Sequence, residues 1–128
     1  MPADTPTSEA DVVDYQADGI VCLRKAFAEE WITLLGQAVE MVMAEPGPYA
    51  EEFVKPGSGR FFRDLELAQR HEPSMRFSKE PPAAEITGRI MRSDKINFFY
   101  DQLLVKEPGG AERTSWHQDQ PYWAVSGR

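Results

Sequence analysis

The segment from residue 96 to residue 105, INFFYDQLLV, constrains the fold more than any other feature of the chain. Most of its side chains are aromatic, branched or aliphatic, and Pro108-Gly109-Gly110 closes the run soon afterwards. This composition and length predict a mostly buried β-strand. Because such a strand needs neighbours on both edges and covered faces, the chain must build a sheet that packs against other elements.

Helical patterns elsewhere predict the layer that covers this sheet. Between residues 28 and 45, apolar side chains recur at three- and four-residue spacing until Pro46 interrupts the pattern. This spacing predicts a core-facing helix. We also predict a capped helix over residues 8–19 and two short helices over residues 63–72 and 81–93. The last of them should bury Ala83, Ile86, Ile90 and Met91.

Two more segments have strand-like composition. Residues 19–27, GIVCLRKAF, form a β-prone run in which Cys22 should be a buried small hydrophobe. Residues 114–123, TSWHQDQPYW, are rich in β-branched and aromatic residues and should pair with the 96–105 strand. Residues 46–60 hold several prolines and glycines, which predict a loop.

These elements predict one α+β domain that spans residues 1–128, with a loose polar lead at residues 1–7. The formal net charge is -7, which opposes binding to nucleic acid and to anionic membranes. The N-terminus lacks the basic and apolar regions of a secretory signal, and no segment is long enough to span a bilayer. With a single cysteine, the chain is predicted to be cytoplasmic.

His117 and Asp119 are the candidate metal ligands. On an extended strand, residues two apart point the same way with Cβ atoms roughly 7 Å apart, so an imidazole and a carboxylate can converge on one ion. A His-X-Asp pair is common by chance, however, and a solvated pair at a strand end is the more frequent case. The sequence around the pair is therefore needed to distinguish a metal-ligand pair from a solvated pair.

The run FFYDQLLVKEPGGAERTSWHQDQPYW resembles the signature of the phytanoyl-CoA dioxygenase family of Fe(II)- and 2-oxoglutarate-dependent oxygenases. That signature joins a strand and a Lys-x-Pro-Gly turn to a Trp-His-x-Asp motif and an aromatic pair. The matching residues are Lys106, Pro108, Gly109, Trp116, His117, Asp119, Tyr122 and Trp123. A weaker resemblance extends upstream through residues 81–93 to the first helices.

The resemblance implies an N-terminal helical layer followed by the first strands of a double-stranded β-helix, the cupin-like jelly roll. It also implies an iron site of two histidines and one carboxylate, which leaves coordination positions for 2-oxoglutarate and O2. His117 and Asp119 would be two of these ligands, and no catalytic residue beyond the ligands is implied. Ascorbate is a candidate reductant. Since related halogenases lack the carboxylate, Asp119 favours hydroxylation of a small-molecule substrate.

Three further residues receive candidate roles from their positions in the motif. Leu103 resembles a residue that lines the 2-oxoglutarate pocket, although ordinary core packing explains it equally well. Gln118 resembles a neighbour of the iron that shapes the cosubstrate site, and Trp123 resembles one that shapes substrate space. Tyr122 and Trp123 could equally cover a sheet face.

The family's third iron ligand is a histidine far downstream, and a later arginine holds the distal carboxylate of 2-oxoglutarate. The sequence has only one other histidine, His71, which lies upstream and is expected to be a solvated residue at a helix end. We therefore expect this chain to be the N-terminal part of a longer oxygenase and to be inactive alone.

Two alternatives remain open at this stage. One is a non-catalytic helix-plus-sheet module that uses an open sheet edge for dimerisation or partner binding. The other is a metal-bound isomerase or hydrolase on a cupin-like barrel, in which the His-X-Asp motif is coincidental. The sequence does not identify the substrate, because loops and strands mostly outside this stretch determine it.

Overall fold

The computed structural model describes most of the chain, in four stretches: residues 7–53, 55–80, 82–110 and 113–126. The predicted loose lead at residues 1–7 falls outside these stretches apart from Thr7, which is buried. None of the described helices is long and apolar enough to cross a bilayer.

The described residues form four α-helices and one three-stranded sheet. The helices are α1 (Glu9–Asp18), α2 (Glu29–Ala44), α3 (Glu72–Lys79) and α4 (Ala83–Ile90). The strands are β1 (Glu51–Phe53), β2 (Phe61–Leu65) and β3 (Gln102–Lys106). A 3-10 turn, Leu67–Gln69, connects β2 to α3. The architecture is therefore α+β, as predicted, while a sheet of this size does not by itself define a jelly roll.

Local signals at both ends determine the limits of α1. The Ser8 hydroxyl accepts the Asp11 N–H at 3.2 Å, and the Ser8 N–H donates to the Asp11 carboxylate at 2.7 Å, which completes a capping box. At the other end Gly19 adopts a left-handed φ of 74°, and its N–H donates to the Tyr15 carbonyl. The predicted helix over residues 8–19 is confirmed.

Helix α2 presents the predicted apolar stripe to the interior. Its first turn carries Glu29 and Glu30, which favour a helix N-terminus electrostatically, and it ends shortly before Pro46. Ala38 and Val42 are fully buried, and the rest of the stripe is half-buried. The prediction of a core-facing helix is confirmed.

The sheet has the order β1-β2-β3, and both pairs are antiparallel. Strand β2 is central, and its side chains alternate, so that Phe62 and Asp64 are buried on one face. In the register between β2 and β3, Phe62 lies opposite Val105, and Asp64 lies opposite Leu103. The buried face of the sheet is thus formed by the middle strand and one edge strand.

The core joins α2 to this face of the sheet. Val42, Phe62 and Leu67 form the buried cluster, and Leu103 and Val105 pack against it. Helix α2 therefore covers the sheet on one side, while α3 contacts both α2 and α4, and α4 contacts α1. The predicted arrangement of a helical layer on a sheet is what the described residues form.

The predicted helix over residues 63–72 is wrong, because these residues form a strand and a 3-10 turn. Residues 61–65 form β2, and α3 begins only at Glu72. The composition of this segment is compatible with a helix, but pairing with two neighbouring strands and burial of Phe62 favour the extended conformation. Likewise, the predicted loop over residues 46–60 contains β1, because its residues pair with β2.

The predicted strand over residues 19–27 does not form. Ile20 is 75% exposed, and Cys22 is exposed rather than buried. Lys25 has a left-handed φ of 57°, which interrupts an extended backbone. A strand-like composition is therefore not sufficient when no neighbouring strand is placed to pair with it.

In the predicted helix over residues 81–93, Ile90 is buried as expected, whereas Met91 lies beyond the end of α4 and is 51% exposed.

The two predicted strands around the His-X-Asp motif also need correction. Only residues 102–106 of the first segment form a strand, and Phe98 and Phe99 are exposed instead of buried. The segment 114–123 forms no strand in the structure, because it has no backbone hydrogen bonds to β3 in the described part of the chain. The edge of β3 that faces away from β2 is therefore unpaired among the described residues.

A buried carboxylate connects the sheet to the end of α2. Asp64 is fully buried and accepts hydrogen bonds from the Gly47 N–H at 2.9 Å and the Arg70 guanidinium at 2.8 Å. It also accepts from the N–H of Leu65 at 2.8 Å. Since a Cβ at position 47 would overlap the guanidinium, the residue there has to be glycine for this arrangement to form.

These partners determine the charge state of Asp64. Burial alone would raise the pKa of the carboxyl group, but the hydrogen bonds from Gly47 and Arg70 outweigh it and hold the pKa below 3.8. The pair therefore stabilises the fold fully at pH values above 3.8. This stabilisation is lost as the pH falls through the lowered pKa of the folded state.

We predict that Asp64→Asn lowers the free energy of unfolding at neutral pH by roughly 3 kcal/mol, because it leaves the Arg70 guanidinium without its anion. The control is Glu51→Gln, which removes the solvent-exposed ion pair with Arg63 and should change the free energy by less than about 1 kcal/mol. Urea unfolding followed by circular dichroism measures both values.

The pH dependence separates the ion pair from a simple packing effect. The difference between wild type and Asp64→Asn should narrow as the pH falls below 3.8, since the wild-type carboxylate then gains a proton. A difference that stays constant throughout the acid range would contradict the assignment.

Candidate functional site

His117 and Asp119 lie in an exposed segment that follows β3. Their side chains are 57% and 77% exposed, and the residues around them form no regular strand. A turn begins at Asp119, because its carbonyl accepts the N–H groups of Tyr122 at 2.9 Å and Trp123 at 3.1 Å. The turn, rather than the predicted strand, determines the direction of the two side chains.

The two side chains nevertheless meet. Nε2 of His117 lies 3.2 Å from Oδ1 of Asp119, and Nδ1 lies 2.7 Å from the carbonyl oxygen of Ser115. Both neighbours are acceptors only, so both ring nitrogens act as donors when both contacts are hydrogen bonds. The geometry is therefore that of a protonated imidazole held between a carbonyl and a carboxylate.

The same contacts raise the pKa of His117 above its ordinary value of 6.5. The largest contribution is the hydrogen bond to the Ser115 carbonyl, and the negative charge of Asp119 adds to it, while partial desolvation opposes both. A metal ion at Nε2 has to displace the proton on that nitrogen. Metal binding by this histidine should therefore weaken as the pH falls.

The separation of the donor atoms fits one metal ion. Ligands at neighbouring positions of an octahedral ion, with bonds of about 2.1 Å, lie about 3.0 Å apart. The Nε2 to Oδ1 distance of 3.2 Å is close to this value. Within residues 7–53, 55–80, 82–110 and 113–126, no third histidine, cysteine or acid joins the pair. Among the described residues, the arrangement is therefore a pair of metal-ligand side chains and not a larger group.

His71, the other histidine, does not approach the pair as a ligand. It occupies the N-cap position of α3 without a side-chain capping bond, and its Nε2 lies 3.5 Å from the Arg70 guanidinium. A neighbouring guanidinium disfavours a cation at that nitrogen. Its position at a helix end is the one expected from the sequence.

Contacts at both ends attach residues 114–123, which contain His117 and Asp119, to the rest of the fold. At its start, the Lys106 ammonium donates to the Thr114 hydroxyl at 2.8 Å. At its end, the ring of Trp123 packs on Tyr100 with centroids 4.6 Å apart and on Phe99 at 6.0 Å. Aromatic side chains from the run before β3 therefore hold the turn that begins at Asp119.

Asp119 borders a large cleft, which has a volume of about 1060 Å³. Helices α2, α3 and α4 form one side of the cleft, and residues 96–103 form the other. Leu103, Asp119 and Trp123 all line it, whereas His117 adjoins it through Asp119. Gln118 does not line the cleft.

Sequence reasoning missed the helical wall of this cleft. Leu35 and Val39 belong to the apolar stripe of α2, which we assigned wholly to the core, and Phe77 lies on α3, which we did not predict. The stripe is wider than the face that the sheet covers, so part of it remains available to a ligand. The pattern of apolar residues alone does not distinguish these two uses.

Comparison with known proteins identifies the family. The profile of the phytanoyl-CoA dioxygenase (PhyH) family matches residues 15–128. The chain therefore belongs to this family, as its sequence motif predicted, and the family consists generally of dioxygenases that typically depend on Fe(II) and 2-oxoglutarate. Searches among curated proteins and among solved structures found no match.

We predict that nuclear magnetic resonance titration of the metal-free chain gives His117 a pKa above 6.5. Asp119→Asn should lower this pKa only in part, because the Ser115 carbonyl contact, the largest single cause, remains. Gln118→Ala should leave it unchanged. A wild-type pKa at or below 6.5 would show that the two contacts do not form in solution.

Proposed function

We propose that this chain provides part of the active site of an Fe(II)- and 2-oxoglutarate-dependent dioxygenase that hydroxylates a small molecule. Membership of the phytanoyl-CoA dioxygenase family supports the reaction class. The observation that carries the proposal is the approach of His117 Nε2 to Asp119 Oδ1, 3.2 Å apart at the border of a large cleft.

His117 and Asp119 would hold the metal. The imidazole offers Nε2 once the proton on that nitrogen leaves, and the ring stays fixed because Nδ1–H donates a hydrogen bond to the Ser115 carbonyl. Asp119 offers a carboxylate, whose charge favours a divalent cation. Fe(II), when bound, would supply the redox chemistry that couples decarboxylation of 2-oxoglutarate to oxidation of the substrate by O2, with ascorbate as a candidate reductant.

Three neighbouring residues would shape the space beside the metal. Leu103 lies on β3 and lines the cleft, in keeping with a role beside 2-oxoglutarate. Trp123 lines the same cleft and packs on Tyr100, so its indole would form a fixed wall of the substrate site. Gln118, between the two ligands, would contact the cosubstrate from the solvent side.

We propose that the third iron ligand and the cation that anchors 2-oxoglutarate lie on a further segment of the same polypeptide, which would also complete a jelly roll. The absence of a third ligand among the described residues supports this proposal. So does the unpaired edge of β3, because a jelly roll requires additional strands next to it.

We predict that the 128-residue chain binds Fe(II) or Mn(II) weakly, since one imidazole and one carboxylate leave most of the coordination shell to water. His117→Ala and Asp119→Ala should each weaken this binding by at least about tenfold. Anaerobic isothermal titration calorimetry measures the dissociation constants. Binding should also weaken as the pH falls through the raised pKa of His117, because the imidazole then retains its proton.

The matched control for this experiment is His71→Ala, which removes the other imidazole without altering the pair. It should bind the metal as wild type does. Metal binding that is lost in His71→Ala, or that survives in His117→Ala, would contradict the assignment of the ligands.

Turnover provides the second test. The 128-residue chain should decarboxylate labelled 2-oxoglutarate only at the rate without enzyme, because the described residues offer no third ligand beside His117 and Asp119. A longer polypeptide that includes the downstream reading frame should form succinate, and Asp119→Ala should abolish this activity. Decarboxylation by the short chain at about one per second or faster would show that its own residues complete the site.

The open edge of β3 supports a second candidate function, a non-catalytic module that self-associates. Leu104 on this strand is 52% exposed, and unpaired backbone groups at a sheet edge favour pairing with another chain. Analytical ultracentrifugation distinguishes the two functions. A dimer that Leu104→Lys disrupts, in a chain without metal affinity, would favour the module over the oxygenase.

A further inference from the structure

Lys79 provides an unpaired positive charge at the cleft. It is exposed in the last turn of α3 and lines the cleft together with two acids, Asp101 and Asp119. Both acids have partners, because Asp101 accepts the Ala68 N–H at 3.0 Å and Asp119 contacts His117. Among the residues that the structure describes, Lys79 has no ion-pair partner.

The walls around Lys79 favour hydrocarbon over polar ligands. Leu35 and Val39 come from α2 and Phe77 from α3, and Phe98 and Phe99 face them from the opposite side. Apolar walls of this kind bind the apolar part of a ligand without fixing its orientation, because the hydrophobic effect is non-directional. A few polar groups then determine which way a ligand lies.

Two of the three hydroxyl side chains that the helices contribute to the cleft, those of Ser78 and Thr87, already donate to the helix backbone. Ser78 donates to the Ser74 carbonyl at 2.8 Å, and Thr87 donates to the Ala83 carbonyl at the same distance. Their protons therefore bond to the helix backbone and not to a ligand. The ammonium group of Lys79 is thus the strongest donor that the helical wall presents to the cleft.

We propose that the cleft binds an apolar small molecule with a single anionic head group, which pairs with Lys79 while the hydrocarbon body lies between α2 and the run of residues 96–99. Asp119 borders the same space, so the ligand would extend from the cation toward the metal pair. The ligand class is argued from the cleft alone. It rests on the proposed function only if the ligand is taken to be the substrate of the oxygenase.

The test compares ligands that differ only in the head group. Decanoate and decanol, both below their micelle concentrations, are titrated into the metal-free 128-residue chain by calorimetry. Lys79→Met should weaken decanoate binding roughly fivefold, as expected for a solvent-accessible ion pair, and should leave decanol binding unchanged. Lys79→Arg should retain the preference for decanoate. Lys95→Met, an exposed lysine outside the cleft, is the matched control.

Two results would overturn the proposal. One is equal weakening of decanoate and decanol in Lys79→Met, which would mean that the side chain contributes only packing. The other is an unchanged affinity for decanoate, which would mean that Lys79 serves only to complement the C-terminal end of α3. Decyl phosphate, titrated in parallel, shows whether the site prefers a carboxylate or a phosphate.

The result of the decanoate and decanol titrations does not depend on metal binding by His117 and Asp119. Because the titrations contain no iron, failure to bind decanoate leaves the roles of His117 and Asp119 untouched. Conversely, if neither residue binds metal but Lys79 selects the anionic ligand, the oxygenase assignment fails and the ligand site remains.

Discussion

The ion pair between Asp64 and Arg70 is the interaction on which the arrangement of helices and sheet depends. Asp64 points into the core from the central strand, and its carboxylate also holds the backbone of Gly47, just beyond the end of α2. Arg70, which follows the 3-10 turn, leads directly into α3. One buried anion thus fixes where two helices meet the sheet, because its hydrogen bonds form only when all three segments are in place.

The cleft follows from this arrangement. Helix α3 packs against both α2 and α4, and residues of all three helices line the cleft opposite residues 96–103. The aromatic contacts of Trp123 with Tyr100 and Phe99 then bring the turn at Asp119 to the border of the cleft. The candidate ligands therefore owe their position to packing of aromatic side chains and not to a strand.

Local signals predict some elements of this fold well and others poorly. Helices α1, α2 and α4 follow from a capping box, an apolar stripe and a short periodic segment, all of which act between neighbours in sequence. Strand β2 was missed because its pairing partners lie on β1 and on the distant β3, and residues 63–72 taken alone suit a helix. The segments 19–27 and 114–123 show the opposite error, since β-prone residues that pair with no strand stay irregular.

The candidate site, like the fold, could be predicted from the sequence only in part. The motif Trp-His-Gln-Asp predicts the family, and the family profile confirms it over residues 15–128. The contact between His117 and Asp119, however, arises from a turn and from the Ser115 carbonyl, which the spacing of the residues does not reveal. Lys79 could not be recognised from the sequence, because its importance depends on which helix faces bound the cleft.

The central claim is that His117 and Asp119 bind the same metal ion. Pulsed electron paramagnetic resonance of the chain loaded with oxovanadium(IV), a divalent stand-in for Fe(II), tests it most directly, because modulation from a bound imidazole nitrogen identifies a histidine ligand. We predict the signature of one imidazole, which His117→Ala removes and His71→Ala retains. Modulation that persists in His117→Ala, or that disappears in His71→Ala, would contradict the account.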